Sequence, residues 1–102
     1  MEAIQFSGLN DLNDDDKEVL NQVCANCYDK VKMLLHKEQT TVNVNIKTFR
    51  QKGDKKKYSV TLRAMAPATP SFRSSSYNWI LANALHEAFN KLEHEIRREL
   101  KK

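Results

Sequence analysis

The last 26 residues of the chain, 77–102, constrain its fold most, because they form one long amphipathic pattern. Apolar residues recur there every three or four positions, which predicts a helix with a single apolar stripe. The residues of this stripe are Leu81, Leu85, Ala88, Phe89, Leu92 and Ile96. Ser75 or Ser76 is expected to cap the helix. Such a long stripe has to be buried, so the rest of the chain must supply an apolar surface for it.

A second amphipathic helix is predicted to begin at Asn13 or Asp14 and to run to about Lys37. Asp15 and Asp16 follow in its first turn, where carboxylates face the positive end of the helix dipole. This position explains the acidic cluster without a metal ion. Consecutive acids also point in different directions around a helix, so they cannot converge on one ion, and no metal site is expected.

Alternating apolar and polar residues predict the strands of a sheet at 3–7, 42–47 and 57–64, with a fourth at 71–74. Each of the two longer strands has one apolar and one polar face. The sheet is therefore expected to cover a core on one side and to meet water on the other. Gly53 lies in the hairpin connection between the second and third strands, where it is free to take a positive φ.

The order of elements is β-α-β-β-β-α, which predicts an α+β fold. We expect a two-layer sandwich, with a four-stranded sheet and two helices packed on one face. The 102 residues are expected to form a single domain, 1–102. No apolar run approaches the ~20 residues that span a bilayer, and no secretory signal is expected. The predicted location is therefore the cytoplasm, without a membrane partner.

Residue types that carry catalysis or bind metal are few and scattered. Cys24 and Cys27 form a C-x-x-C without the second cysteine pair of a structural zinc site, and they fall on the apolar stripe of a helix. We expect them to be small core residues. His36, His86 and His94 are expected on the surface. We find no nucleophile–base pair and no glycine-rich phosphate loop, so no catalytic residue, no enzymatic activity and no cofactor is expected.

The charge of the chain is divided unevenly, with a net −6 over residues 1–29 and +10 over residues 30–102. Such segregation steers polyanions toward one side of a molecule and favours nucleic-acid binding over a merely solvated surface. Basic residues cluster at the hairpin, on the open sheet face and along the last helix. The candidates for RNA contact among them are Lys47, Lys55, Lys56, Lys57, Arg63, Lys91, Arg97, Arg98 and Lys101.

Aromatic side chains on the open sheet face would permit base stacking, but only Phe49 is expected to project there. This argues against the stacking mode of an RNA-recognition sheet. Phosphate contact and shape recognition of structured RNA fit the pattern better.

A succession of residues spread over nearly the whole chain matches a known pattern. It comprises Lys47, Gly53, the segment KKYSV at 56–60, Phe72, Trp79, and the segment ALHEAFNKLE at 84–93 followed by a basic tail. The chain in this respect resembles the ribosome hibernation-promoting factor family, also called the ribosome-associated inhibitor or sigma-54 modulation family.

The resemblance implies a β-α-β-β-β-α domain in the tRNA and mRNA channel of the small ribosomal subunit, where it blocks translation in idle ribosomes. The implied partners are the small subunit and its rRNA, contacted by basic residues of the two helices and adjoining strands. Lys91 matches the family's helix lysine. Arg97, Arg98 and Lys101 match its basic C-terminal stretch.

On the first helix, the candidates implied by the resemblance are Lys30, Lys32 and Lys37. The acidic first turn of that helix departs from the family pattern, so any RNA face has to begin further along. His86 and Asn90 stand where many members carry Asp. The chain resembles the short form of the family, so ribosome dimerisation is not expected, and the protein is expected to be a monomer.

Two alternatives remain open from the sequence. The first is a double-stranded-RNA-binding module, which shares an α-β-β-β-α core. That fold has a lysine cluster at the start of its last helix, where this chain has residues 75–78, SSYN. The second is a regulatory protein-interaction domain whose positive charge serves an acidic protein partner.

Overall fold

The computed structural model describes residues 3–36, 38–50, 53 and 55–100. The elements run in the order β1 (Ile4–Ser7), α1 (Asp14–Leu35), β2 (Thr41–Arg50), β3 (Lys56–Met65), β4 (Phe72–Asn78) and α2 (Leu81–Leu100). The predicted α+β fold and its order of elements are confirmed. The strands form one four-stranded sheet in the order β1-β2-β3-β4.

Strand β1 pairs with β2 in parallel, and the other two pairs are antiparallel. A parallel pair needs a long crossover between its strands, and α1 is that crossover. In the register, Val44 pairs with Phe6 on one side and with Leu62 on the other. Because side chains alternate along each strand, this register places the apolar residues of neighbouring strands on the same face.

The core lies between this apolar face and the two helices. All six residues of the predicted stripe of α2 are 4% exposed or less, and α2 contacts β3, β4 and α1. From α1, Leu20, Cys24 and Val31 join the same cluster of buried residues. Burial of apolar area at about 25 cal/mol per Å² is the main term that holds such a two-layer fold together. Neither helix, over the residues described, is long and apolar enough to cross a membrane.

Helix α1 begins as predicted. Asn13 is its N-cap, and the side-chain Oδ1 of Asn13 accepts a hydrogen bond from the backbone N–H of Asp16 at 2.8 Å. The helix ends at Leu35, where His36 takes a left-handed conformation with φ 54°. The expected end at about Lys37 lies outside the described residues. Asp16 also accepts a hydrogen bond from the Tyr58 hydroxyl at 3.2 Å, so the acidic turn helps to attach α1 to the sheet.

The boundary between β4 and α2 was predicted wrongly. Strand β4 continues to Asn78, and α2 begins at Leu81, because the chain pairs with β3 as far as Tyr58 opposite Asn78. Ser76 is therefore a buried strand residue rather than a helix cap. The turn into α2 is made by Asn78, whose side-chain oxygen accepts from the N–H of Ile80 at 3.0 Å.

Gly8 should be far less replaceable than Gly53, although both have positive φ, 77° and 79°. A methyl group at Gly8 would collide with the backbone carbonyl of Ile46, whereas no described atom lies within 4 Å of one at Gly53. We expect Gly53→Ala to lower the free energy of unfolding by about 1–2 kcal/mol through strain alone. Gly8→Ala should cost about 3 kcal/mol or more, because the overlap adds to the strain. Urea unfolding measures both, and equal losses would contradict the predicted collision.

Candidate nucleic-acid interface

The open face of the sheet belongs to the most cationic part of the fold. The four strands, all of whose residues the structure describes, carry six cationic side chains and no carboxylate. These residues are Lys47, Arg50, Lys56, Lys57, Arg63 and Arg73. By contrast, α1 has five carboxylates against three lysines, and α2 has four glutamates against three cationic side chains. The charge is thus divided between the two layers as well as along the sequence.

Two arginines face each other across neighbouring strands on the open side. Arg63 of β3 pairs in register with Arg73 of β4, and both side chains are exposed. Asn43 of β2 is the next residue in the same row. Among the described residues neither arginine has a carboxylate partner. Like charges placed directly opposite one another destabilise strand pairing, so this pair is suited to an anion that bridges both guanidinium groups.

Lys57 lies beside aromatic rings at the other end of this face. Its ammonium nitrogen is 5.6 Å from the ring centroid of Tyr77 and 5.6 Å from that of Trp79. Phe49 is directly across from Lys57 on β2. The residues Phe49, Tyr77 and Trp79 are 46%, 62% and 52% exposed. The expectation that only Phe49 projects here was wrong, because β4 extends far enough to put Tyr77 on the sheet.

The basic residues of α2 are largely engaged within the protein. Arg97 is 3.6 Å from Glu93, and Arg98 contacts both carboxylate oxygens of Glu95 at 2.7 Å. Lys91 donates from its ammonium group to the carbonyl oxygen of Ser75 at 3.0 Å, so it lies at the outer edge of β4. The flank of α2 therefore presents less uncompensated charge than its sequence indicates.

The remaining predicted contact residues lie apart from the open face. On α1, Lys30 is exposed. Lys32 is 3.0 Å from Glu38, and the hydrogen bond to this carboxylate raises the pKa of Lys32. Lys55 and Lys56 line a shallow groove with Trp79. Lys37 and Lys101 lie outside the described residues.

The structure thus brings three predicted residues, Lys47, Lys57 and Arg63, onto one face and adds Arg73, which sequence reasoning missed. An alternating pattern that would indicate Arg73 is present. Once 72–78 is treated as a strand, its positions alternate between buried and exposed, and Arg73 is one of the exposed ones. Serine-rich composition hid that alternation, because serine is more often found in turns and caps.

The two cysteines are core residues, as predicted. Cys24 is fully buried and Cys27 is 6% exposed. Burial raises the pKa of the Cys24 thiol to about 12, and the neighbouring Cys27 adds to the effect. Burial also raises the pKa of Cys27, against a lowering by Lys30. Over the described part of the chain, no three His, Cys, Asp or Glu side chains are grouped so as to hold a metal ion.

Solved structures share this fold over nearly the full length of the chain. One is a ribosomal subunit interface protein from Coxiella burnetii, with a TM-score of 0.61, 16% identity, and coverage of 97% of this chain and 98% of that one. The Protein Y N-terminal domain of Thermus thermophilus matches with a TM-score of 0.55, 13% identity and 93% coverage of both chains.

The chain shares the fold of these two proteins over 93% or more of its length. At 13–16% identity the likeness is one of fold, in the arrangement of strands and helices. No family model and no curated protein matches the sequence.

The cysteines should be nearly inert in the folded protein. Thiolate is the reactive form, and burial suppresses it in both residues. At pH 8 we expect a thiol-reactive disulfide reagent to label native protein at least about 100-fold more slowly than protein unfolded in guanidinium, in line with the raised pKa. Rapid labelling of the native chain would contradict the placement of these residues in the core.

Glu87 should make stability depend on pH at the junction of β4 and α2. It accepts hydrogen bonds from the Ser76 hydroxyl at 2.6 Å and from Asn78 at 3.0 Å. These bonds, with a smaller effect of Lys91, hold its pKa below the ordinary value of 4.5. Its stabilising contribution is therefore present above that value and is lost as pH falls through the lower pKa of the folded state.

We accordingly expect Glu87→Gln to be less stable than wild type at pH 6 and to approach wild type as the pH falls below 4.5. Urea unfolding of both proteins between pH 3 and pH 6 measures this. A difference in unfolding free energy that stays constant over this range would count against the assignment.

Proposed function

We propose that this chain is a ribosome-associated inhibitor of translation that binds rRNA of the small subunit in the tRNA and mRNA channel. The observation that carries the proposal is the fold shared over nearly the whole chain with a ribosomal subunit interface protein. The sequence resemblance to the hibernation-promoting factor family supports the same conclusion. Such a protein acts in the cytoplasm, where ribosomes are.

The charge distribution supports an RNA partner. The strands carry six cationic side chains without a carboxylate, and phosphate neutralisation by Lys and Arg dominates the affinity of proteins for nucleic acid. Arg63 and Arg73 stand side by side without a described counter-ion, as a phosphate-binding pair requires. We propose that they, with Lys47 and Lys57 on the same face, make the principal RNA contacts.

The helix residues make a secondary contribution in this proposal. Arg97 and Arg98 have to exchange a glutamate of their own helix for a phosphate, which reduces the net gain. Lys91 lies at the sheet edge and extends the cationic face there, and Lys30 is free to contact RNA from α1. Inhibition follows from occupancy: a body measuring 47 × 28 × 17 Å excludes other ligands from the site it fills.

The alternative of a double-stranded-RNA-binding module fits less well. Its α-β-β-β-α core has no counterpart of β1, which here pairs in parallel with β2 along four residues. The alternative of an acidic protein partner would also require the positive charge. A ribosome-binding measurement distinguishes it from the proposal.

Two matched double variants test both the function and the face. Arg63→Gln with Arg73→Gln removes two charges from the sheet, and Arg97→Gln with Arg98→Gln removes two from α2. We expect the sheet variant to weaken co-sedimentation with purified small subunits by roughly tenfold per arginine. We also expect it to lower the slope of log affinity against log salt by about two. The helix variant should change both quantities less.

If the helix variant lost more affinity than the sheet variant, the RNA interface would lie on the helices instead of the sheet. A wild-type protein that fails to co-sediment with small subunits at low salt would rule out the proposed function. Circular dichroism and urea midpoints equal to those of wild type serve as the folding control for both variants.

A further inference from the structure

One part of the open face is not explained by phosphate binding. Phe49, Tyr77 and Trp79 form an exposed cluster of rings around Lys57, here called the aromatic platform. We propose that the aromatic platform stacks unpaired bases of single-stranded RNA, while the neighbouring cations hold its phosphates. This inference extends the proposed function and rests on it for the origin of the RNA, which is the ribosome.

The register puts Phe49 on β2 and Tyr77 on β4 at the same end of the open face, with Lys57 of β3 between them. Tyr77 is the cross-strand partner of Ser59, which is in turn the partner of Lys47. Phe49 and Lys57 are partners in the adjacent row, and Trp79 follows two residues after Tyr77. Neighbouring strands lie about 4.8 Å apart, and alternate residues of one strand lie about 6.7 Å apart. Successive bases of a strand that crosses this face would therefore meet different rings.

The exposure of these rings is selective. The same chain buries Phe89 to 1%, Phe72 to 7% and Tyr58 to 8% exposure, so its core has room for aromatic side chains. Tyr77 and Trp79 nevertheless present more than half of their surface to water. Contiguous exposed apolar surface of this kind marks interaction sites.

The chemistry around the rings favours RNA over a protein partner. Lysine is depleted at the centre of protein–protein interfaces, yet Lys57 lies between the rings with its ammonium 5.6 Å from two of them. Lys47 lies in the same row as Tyr77, and Arg63 and Arg73 continue the cationic face toward its other end. Rings that stack bases beside cations that follow the backbone are the standard means of binding single strands.

The two ends of the open face then have different tasks. Among the described residues the pair Arg63 and Arg73 has no ring contact, so in this proposal it binds phosphate alone. The aromatic platform reads the bases, whichever they are, because every base has a face that can stack.

The test uses Trp79 itself, since it is the only tryptophan in the chain. An unstructured 12-nucleotide RNA is titrated into the full-length protein, in parallel with an abasic ribose-phosphate strand of equal length and charge. We expect the natural strand to quench Trp79 fluorescence and to bind at least about tenfold more tightly than the abasic strand, because stacking on the rings is lost in the latter.

Substitutions of the other two rings leave the reporter intact. Phe49→Ala and Tyr77→Ala should each weaken binding of the natural strand about fivefold or more, with little effect on the salt slope, because the phosphate contacts remain. Tyr77→Phe keeps the ring and should bind like wild type. Met33→Ala, which removes an apolar side chain that is 71% exposed on α1, is the matched control and should have no effect.

Equal affinity for the natural and abasic strands, or unchanged binding by Phe49→Ala and Tyr77→Ala, would overturn the inference. So would variants that keep their RNA affinity but lose self-association or ribosome binding, since the platform would then contact protein. If wild type does not co-sediment with small subunits but still prefers natural RNA, the proposed function fails while the platform stands. If it does co-sediment and Tyr77→Ala changes neither assay, the platform fails while the function stands.

Discussion

The burial of the α2 stripe against one face of the sheet is the interaction on which the other properties of the molecule depend. Leu85, Phe89 and Leu92 are at most 1% exposed, and their partners are alternate residues of the strands. Side chains of a strand alternate between its two faces, so the residues that pack in the core determine which residues lie on the opposite face. A slip of one residue in β3 would bury Arg63, at a high cost for an unpaired charge. The packing of the core therefore determines which side chains can meet a ligand.

Much of this arrangement could be predicted from periodicity alone. Strands β2 and β3 alternate clearly, and both helices have apolar stripes, so their types and order were correct. The error at β4 has a physical cause. The segment 74–76 is three consecutive serines, whose short polar side chains fit a helix cap, a turn or a strand. The tertiary partners decide here, since Ser76 donates to Glu87 and Ser74 donates to the carbonyl of Ala88, and no local pattern reveals either bond.

The candidate site was predictable in part for the same reason. Lys47 and Arg63 follow from the alternation of well-marked strands, whereas Arg73 and Tyr77 depend on the strand that was read too short. Net charge along the sequence indicated a polyanionic partner but not which layer meets it. That depends on side-chain pairing within α2, where Glu93 and Glu95 engage the two arginines. Sequence spacing permits such pairs, but it does not tell whether they form in preference to a contact with RNA.

The hydrogen bond from Lys91 to the carbonyl of Ser75 has a further consequence. Strand β4 is at the edge of the sheet, and an open edge is a template on which another chain can add a strand. Lys91 occupies one acceptor of that edge and places a charge beside it, which opposes edge-to-edge aggregation. A substitution at Lys91 thus removes a cation and uncovers a strand edge together. Any loss of solubility or binding in such a variant therefore has two separate physical origins.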